Sequence, residues 1–284
     1  MVPNLIIIGA QKCGTTSLHY YLNCHPEIIM SPHKELNFFN EDLNWHKGRQ
    51  WYESHFVGKA KIYGEASPNY TIYPIEKGVA ARMHSLIPNA QLIYMVRDPI
   101  ERIISQYLDR VKGGQETRTF SHAVEEVSDN IYIYQSKYFM QIEQYLPYYS
   151  KSNILIVSAE ELKNERRKVL QKAFRFLGVD DSFTCDEFSE IKNISEQKLK
   201  RKKPKRIIRY LMCDTPDVSP TQRMVHSLIP KCIKNKIFVS TQSGEKISRP
   251  VLSEELKQKL IDTFKNDVAR LRAFTGCDFK EWCL

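Results

Sequence analysis

The sequence contains no long apolar run, and no stretch approaches the ~20 consecutive apolar residues that a membrane-spanning helix needs. It also lacks a basic and apolar leader before its first apolar segment, which begins at Leu5. We therefore expect no transmembrane segment. We expect either a cytoplasmic protein or the trimmed catalytic domain of a lumenal one, and we favour the first.

The chain has seven cysteines, and no two of them are spaced as Cys-x-x-Cys. An odd number without that spacing argues against a structural zinc site and against a disulfide framework. Free thiols suit a reducing compartment, although Cys277 and Cys283 are close enough in sequence to pair in an oxidising one. Cys13 precedes a predicted helix, where a thiol pKa is often lowered. It is either a redox-sensitive thiol or merely a small residue, and we favour the second.

Acidic residues are outnumbered, with 33 Asp and Glu against 42 Lys and Arg and a formal net charge of +9. A basic balance favours an anionic ligand or partner. The densest basic run extends from Lys198 to Arg206. It is either a surface for an acidic polymer or a solvated charged face, and the second is the more common role of such runs. Because no nucleic-acid-binding motif accompanies it, we predict no nucleic-acid partner.

Short apolar runs alternate with helical patterns along the chain. Strands are predicted at Leu5–Ile8, Ile62–Tyr63, Leu92–Val96 and Ile154–Val157, and helices at Thr15–Asn23, Ile75–Leu86, Ile100–Lys112, Ser136–Tyr149, Ala159–Leu177 and Glu254–Phe274. This alternation predicts an α/β fold with three layers, in which helices flank a central parallel sheet. Residues 180–250 show little periodicity, so we expect short helices and loops there that cover the ligand-binding edge of the sheet. Without a low-complexity linker, we predict a single domain over residues 1–284.

The first strand runs into a glycine-containing loop and then a helix, with the sequence Gly9-Ala10-Gln11-Lys12-Cys13-Gly14-Thr15-Thr16-Ser17. Backbone N–H groups of such a loop, together with the helix N-terminus, bind anions. The P-loop of nucleotide triphosphatases requires Gly-x-x-x-x-Gly-Lys-Ser/Thr. Here Gly9 and Gly14 keep the glycine spacing, but Thr15 replaces the lysine, which has moved to Lys12. We predict an anion site in which this lysine reaches a different phosphate oxygen.

A second anion-binding pattern follows the third predicted strand. The strand leads into Arg97, Pro99 is placed to start a helix, and Ser105 lies about two turns into that helix. The fork of an arginine suits a phosphate, so Arg97 and Ser105 are predicted to bind one anion together. The alternative is that Arg97 pairs with Asp98 or caps a neighbouring element. Together with the Lys12 loop, this pattern indicates a ligand with two separated phosphate groups.

These two patterns resemble the sulfotransferases that use 3′-phosphoadenosine 5′-phosphosulfate (PAPS). The resemblance continues over His25-Pro26, Lys34–Asn40, Trp51-Tyr52 and Gly64–Tyr70, a succession similar to the heparan-sulfate N- and 3-O-type enzymes and their bacterial relatives. It implies a P-loop-like fold and PAPS as co-substrate, with adenosine 3′,5′-bisphosphate (PAP) as product. The implied acceptor is a hydroxyl or amine of a carbohydrate or small metabolite. Because the loop lacks the Lys-Ser/Thr ending that serves Mg²⁺, we predict no metal requirement.

The resemblance also implies roles for the residues of both patterns. Arg97 and Ser105 hold the 3′-phosphate, and Lys12 stabilises the charge that develops on the leaving phosphate. The 5′-phosphosulfate is held by the loop and the start of the helix, through Lys12, Cys13, Gly14, Thr15, Thr16 and Ser17.

A hydroxyl acceptor needs a base, and the residues alone offer Glu35 and Glu65 without a preference. Glu35, in Lys-Glu-Leu-Asn-Phe-Phe, matches the catalytic glutamate of the glycan branch. The resemblance therefore implies Glu35 as the base and Glu65 as a second catalytic residue on the acceptor side. In the alternatives, Glu35 forms a surface ion pair with Lys34, and Glu65 supports the turn at Ser67-Pro68.

The chain departs from the animal glycan enzymes at Ala66, where they usually have a lysine, so the resemblance does not define the acceptor. The loop Ser243–Pro250 is loosely similar to a loop over their nucleotide, which implies Lys246 and Arg249 as contacts of the 3′-phosphate or the sulfate. Two other functions stay open. One is a P-loop kinase of a small molecule, disfavoured by Thr15-Thr16, and the other is a non-catalytic nucleotide-binding protein of the same fold. The pattern does not indicate an oligomeric state.

Overall fold

The structure is a computed structural model that describes residues 1–189, 199–201, 242–246 and 248–284. The chain separates into two compact units. The first comprises Met1–Gln106, Ser121–Ile194 and Leu252–Leu284, and the second comprises Tyr107–Phe120 and Ser195–Val251. The single domain that the sequence predicts over residues 1–284 stays a prediction.

Strands and helices alternate along most of the described chain. The strands are β1 Leu5–Gly9, β2 Ile28–Met30, β3 Ile62–Ala66, β4 Gln91–Val96, β5 Ile154–Ser158, β6 Leu199–Arg201 and β7 Gln242–Lys246. The helices are α1 Thr15–Asn23, α2 Gly48–Glu53, α3 Val79–Leu86, α4 Pro99–Lys112, α5 Phe120–Glu125, α6 Ile131–Tyr134, α7 Tyr138–Glu143, α8 Ala159–Asn164, α9 Arg166–Leu177 and α10 Glu254–Thr275.

Strands β1 to β5 form one parallel sheet in the order β2-β3-β1-β4-β5. Every residue of β1 and β3 is buried, and so is every residue of β4 after Gln91. Continuous burial of this kind is typical of a parallel sheet covered on both faces. The predicted α/β fold with a central parallel sheet is therefore confirmed. Sequence missed β2, because its three residues are too few to give a recognisable apolar run.

The strand order places the two anion-binding patterns at one edge of the sheet. From the central strand β1 the chain passes to β2 and β3 on one side, and then to β4 and β5 on the other. Ligands of open α/β sheets bind beyond the carboxyl ends of the strands, next to such a reversal. Lys12 follows β1, Glu35 follows β2, and Arg97 follows β4. Because these strands are parallel, all three residues lie at the same edge of the sheet.

Three predicted helices differ from the structure, whereas α1 has its predicted bounds. The helix predicted over Ile75–Leu86 begins only at Val79. The helix predicted over Ser136–Tyr149 is limited to Tyr138–Glu143. Pro147 disfavours helical backbone at Leu146 and so excludes the predicted extension to Tyr149. The helix predicted over Ala159–Leu177 divides at Glu165, whose φ of −127° and ψ of 42° are not helical. A single non-helical residue does not interrupt the apolar periodicity of the sequence, so the division could not be predicted from it.

In the second unit, β6 and β7 pair as antiparallel strands. They lie within the segment 180–250, where short helices and loops were expected, so strand structure is a correction to that expectation. Most of the remaining segment, including residues 202–206 of the basic run from Lys198 to Arg206, lies outside the described residues.

Two further observations concern a membrane span and a disulfide. Within the described part of the chain, no helix is both long and apolar enough to cross a membrane. Cys277 and Cys283 are free thiols, so the disulfide considered as an alternative is not formed. The cytoplasmic location stays a prediction.

Candidate active site at the carboxyl edge of the sheet

Two glycines shape the loop that joins β1 to α1. At Gly9 (φ 156°) an added Cβ would lie 2.0 Å from Thr71 Oγ1, so a larger residue does not fit. Gly14 precedes α1 in a left-handed conformation (φ 87°), and its carbonyl accepts hydrogen bonds from the N–H groups of Ser17 and Leu18 at 3.0 and 3.1 Å. Strand, loop and helix N-terminus thus have the arrangement that suits an anion.

Lys12 lies within this loop in a left-handed conformation (φ 71°), with its side chain partly buried. The next residue, Cys13, is fully buried, and its Sγ lies 3.6 Å from the hydroxyl of Tyr138. Burial raises the pKa of the Cys13 thiol to about 11, so the thiol is protonated at neutral pH. This contradicts a redox-sensitive thiolate and agrees with a position that requires a small residue.

A second ammonium group lies at the start of α1, where Thr15 is buried and Thr16 is exposed. Lys34 Nζ donates a hydrogen bond to Thr16 Oγ1 at 2.5 Å, and the Glu35 charge also acts on Lys34. Burial lowers the pKa of Lys34, and it lowers the pKa of the neighbouring His19 to about 4 with help from the Lys34 charge. The imidazole is therefore neutral at pH 7. The sequence analysis did not single out Lys34 as a cation near the loop, although a basic residue directly before Glu35 was a signal.

Glu35 is exposed on residues 31–39, which follow β2 and are called the Glu35 segment below. Its backbone is left-handed (φ 61°), and its N–H donates to the carbonyl of Ala66, at the end of β3, at 2.9 Å. Two residues further on, the N–H of Asn37 donates to Ser67 Oγ at 3.0 Å. An accessible carboxylate is therefore carried by a backbone that is fixed to the end of β3.

Glu65, the other predicted catalytic carboxylate, has no exposed surface. Three hydroxyl groups donate to it, those of Tyr52 and Tyr70 at 2.7 Å and that of Ser67 at 2.6 Å. Burial raises the pKa of Glu65, and the three donors oppose that rise. The carboxylate is thus enclosed by groups of the protein itself.

Two of these hydroxyls also hold the Glu35 segment. The hydroxyl oxygen of Tyr70 accepts a hydrogen bond from the N–H of Phe38 at 2.9 Å, and the same hydroxyl donates its own hydrogen bond to Glu65. Ser67 accepts a second N–H of the segment, as described above, and also donates to Glu65. Glu65 is therefore joined to the Glu35 segment through two bridging hydroxyls.

Replacement of Glu65 by alanine is expected to lower the free energy of unfolding by about 3 kcal/mol or more, because it leaves three buried hydroxyls without their acceptor and opens a cavity. Glu65→Gln keeps the volume and one acceptor oxygen, so its cost is expected to be smaller. Urea denaturation of both variants and the wild type measures the difference. An alanine variant as stable as the wild type would show that the cluster is not structural.

Arg97 lies directly after β4. Its N–H donates to the Tyr138 hydroxyl at 3.3 Å, the same hydroxyl that contacts Cys13. Its guanidinium lies 3.4 Å from Glu101 Oε2, one turn before the partly buried Ser105 on the same face of α4. Tyr138 therefore joins the loop after β1 to the strand end at Arg97, and no sequence pattern marks that role.

Asp98 is not the partner of Arg97. Its Oδ1 accepts the N–H groups of Ile100 and Glu101 at 2.8 and 3.0 Å and so caps α4. Its Oδ2 accepts the N–H of Cys283 at 2.7 Å. The alternative in which Arg97 pairs with Asp98 is wrong, because the Arg97 guanidinium contacts Glu101 and the Asp98 carboxylate instead accepts backbone donors.

The two residues predicted from the late loop belong to the second unit. Lys246 lies in β7, where only the backbone is described, and Arg249 is exposed. Their contacts with the 3′-phosphate or the sulfate stay predictions.

A family model of the sulfotransferase domain matches residues 2–271 of this chain. The membrane-associated sulfotransferase kil1 of Dictyostelium discoideum is 38% identical over 141 residues, which cover 46% of this chain and 29% of that protein. The bifunctional heparan sulfate N-deacetylase/N-sulfotransferase 4 of Mus musculus is 30% identical over 207 residues, 66% of this chain and 23% of that protein. The chain thus spans about a quarter of the length of these two relatives.

Solved structures have the same fold. A sulfotransferase from Alicyclobacillus acidocaldarius superposes with a TM-score of 0.70 at 24% identity, over 99% of both chains. Mouse sulfotransferase SULT7A1, complexed with PAP, superposes with a TM-score of 0.53 at 16% identity, over 99% of this chain and 89% of that one. These likenesses confirm the P-loop-like form of the predicted fold. Since the family model covers nearly all of its residues, the chain belongs to the sulfotransferase domain family.

Proposed function

We propose that this protein transfers a sulfuryl group from PAPS to a hydroxyl or amine of a carbohydrate or small metabolite. The observation that carries the proposal is a strand–loop–helix anion site that has its lysine, Lys12, inside the loop and shares its sheet edge with the exposed carboxylate of Glu35. Membership of the family supports the reaction class and PAPS as donor. The heparan sulfate enzyme among the relatives supports a carbohydrate acceptor.

In the proposed reaction, the acceptor oxygen or nitrogen forms a bond to sulfur while the bond between sulfur and the phosphate oxygen breaks. Glu35 takes the acceptor proton, and Lys12 stabilises the negative charge that develops on the leaving phosphate. Loop amides and the hydroxyls of Thr15, Thr16 and Ser17 hold the 5′-phosphate. Lys34, already hydrogen-bonded to Thr16, adds a second cation at this end of the donor.

Glu65 is assigned a positioning role in this proposal. Its enclosure by three hydroxyl donors keeps it from an acceptor. The same hydroxyls fix the Glu35 segment, so Glu65 acts on the reaction through the placement of Glu35.

Arg97→Ala is expected to weaken PAP binding by roughly tenfold or more, because it removes a charge-assisted contact with the 3′-phosphate. Binding of 5′-AMP, which has no 3′-phosphate, is expected to change less than about twofold. Calorimetric titration of wild type and variant with both nucleotides measures the two losses. Equal losses for the two ligands would refute the assignment of Arg97 to the 3′-phosphate.

The function is tested by incubating the protein with radiolabelled PAPS and one acceptor at a time, taken from a panel of glycans, phenols, amines and small sugars. Transfer of the label to a carbohydrate or small metabolite is expected, at a rate that EDTA does not change. Transfer of phosphate from ATP in the presence of Mg²⁺ would indicate a kinase instead. Tight binding of PAP without transfer to any acceptor would indicate a non-catalytic nucleotide-binding protein.

A further inference from the structure

Arg102 is one of the largest fully buried side chains of the protein, and it lies in α4 between Arg97 and Ser105. Its guanidinium makes four hydrogen bonds, and all of their acceptors are uncharged. They are Ser136 Oγ at 2.6 Å, the carbonyl of Tyr132 at 2.7 Å, Gln106 Oε1 at 2.8 Å and Gln135 Oε1 at 3.4 Å.

In the described part of the chain, no carboxylate forms an ion pair or a hydrogen bond with this buried guanidinium. A guanidinium stays protonated in proteins, and burying a charge without an opposite charge is costly. The titratable groups with the largest effects on Arg102 are Cys13, Tyr94, Tyr138 and Arg97. Burial raises the pKa of the first three, so they are neutral at pH 7, and the fourth is itself a cation.

A hydrogen-bonded relay connects Arg102 to the anion loop. Because Gln106 Oε1 accepts from Arg102, the Nε2 of Gln106 faces the other way. It donates to Gln11 Oε1 at 3.3 Å and to Gln135 Oε1 at 2.6 Å. Gln11 directly precedes Lys12, so the buried guanidinium is two hydrogen bonds from the loop.

We propose that Arg102 is a positioning residue for the donor, and that its counter-charge is the 5′-phosphate of the nucleotide bound at the loop. The inference rests on the proposed function and adds to it a residue that touches neither substrate. A buried charge acts through a medium of low dielectric constant and is little screened by salt. The relay through Gln106 also fixes the orientation of Gln11, so the loop is already ordered before the phosphate binds.

The test compares Arg102→Met, which removes the charge at similar volume, with Arg102→Lys, which keeps it. Calorimetry measures the affinities for PAP, 5′-AMP and 3′-AMP. Arg102→Met is expected to weaken PAP and 5′-AMP by roughly tenfold or more and to weaken 3′-AMP clearly less, because the relay through Gln106 and Gln11 leads to the loop that binds the 5′-phosphate. Arg102→Lys is expected to retain most of the affinity that Arg102→Met loses. A purely structural role would weaken all three ligands alike, and that outcome would overturn the inference.

Gln11→Ala tests the relay without emptying the core, since Gln11 is only partly buried. Its melting temperature is expected to match the wild type, with weaker binding of the two 5′-phosphorylated ligands and unchanged binding of 3′-AMP. If Arg102→Met does not fold, this variant decides, and unchanged affinities for all three ligands would overturn the inference. If the wild type binds PAP and all variants bind it equally well, the inference about Arg102 is refuted but the proposed function is not. A wild type that does not bind PAP refutes the proposed function as well.

Discussion

Alanine in place of Lys12 is expected to lower the rate of sulfuryl transfer by roughly 10²- to 10³-fold, while the affinity for PAP falls less than about tenfold. The ammonium group lies in the loop at the end of β1, in a left-handed backbone conformation that fixes where its side chain starts. Charge develops on the leaving phosphate only as the bond to sulfur breaks. An interaction that strengthens in the transition state affects turnover more than binding.

Steady-state rates at saturating PAPS and calorimetric titration with PAP separate these two effects. Lys168→Ala is the matched control, because Lys168 is 74% exposed and is paired with Glu165 on the surface. The control is expected to transfer at the wild-type rate. A Lys12→Ala enzyme with full activity would exclude the assigned role, and an equal loss of binding and turnover would make Lys12 a simple ligand of the donor.

Glu35→Gln is expected to give the second large effect, lowering transfer by roughly 10²- to 10⁴-fold, because glutamine cannot take the acceptor proton. The substitution should leave the fold unchanged. Glu35 is exposed, and its hydrogen bond to Ala66 is made by the backbone, which the substitution retains. The rate of transfer at saturating acceptor, measured beside the melting temperature, isolates the chemical role from stability.

Glu65→Gln is the comparison that separates a base from a residue that positions it. It is expected to lower the melting temperature more than Glu35→Gln does, because Glu65 accepts hydrogen bonds from three buried hydroxyl groups. It is expected to lower the transfer rate less. The reverse order of the two rates would exchange the roles of the two glutamates.

The parts of the site that depend on local chemistry were predictable from sequence. The bounds of α1 and the glycine loop before it follow from adjacent residues, since a strand, two glycines and a helix N-terminus constrain one another. The place of Arg97 at a strand end has the same origin. Burial of Glu65 was not predictable, because the donors that enclose it come from α2 and from the residues after β3.

The remaining site features arise from contacts between distant parts of the chain. Tyr138 lies in α7, yet its hydroxyl meets both the loop after β1 and the strand end after β4. Cys283 reaches back to Asp98 across 185 positions. Arg102 looks like an ordinary surface arginine of an amphipathic helix until its four buried acceptors are known. Periodicity and spacing describe one segment at a time and do not register such contacts.

The central claim is that the displaced lysine of the loop serves sulfuryl transfer from PAPS. The most direct test is the initial rate of label transfer from PAPS by the wild type and by Lys12→Ala, with PAP binding verified for both. The account predicts transfer by the wild type to at least one carbohydrate or small-metabolite acceptor, a rate lower by roughly 10²-fold or more in the variant, and PAP binding by both. Equal rates in the two proteins, or a wild type that uses ATP and not PAPS, would contradict it.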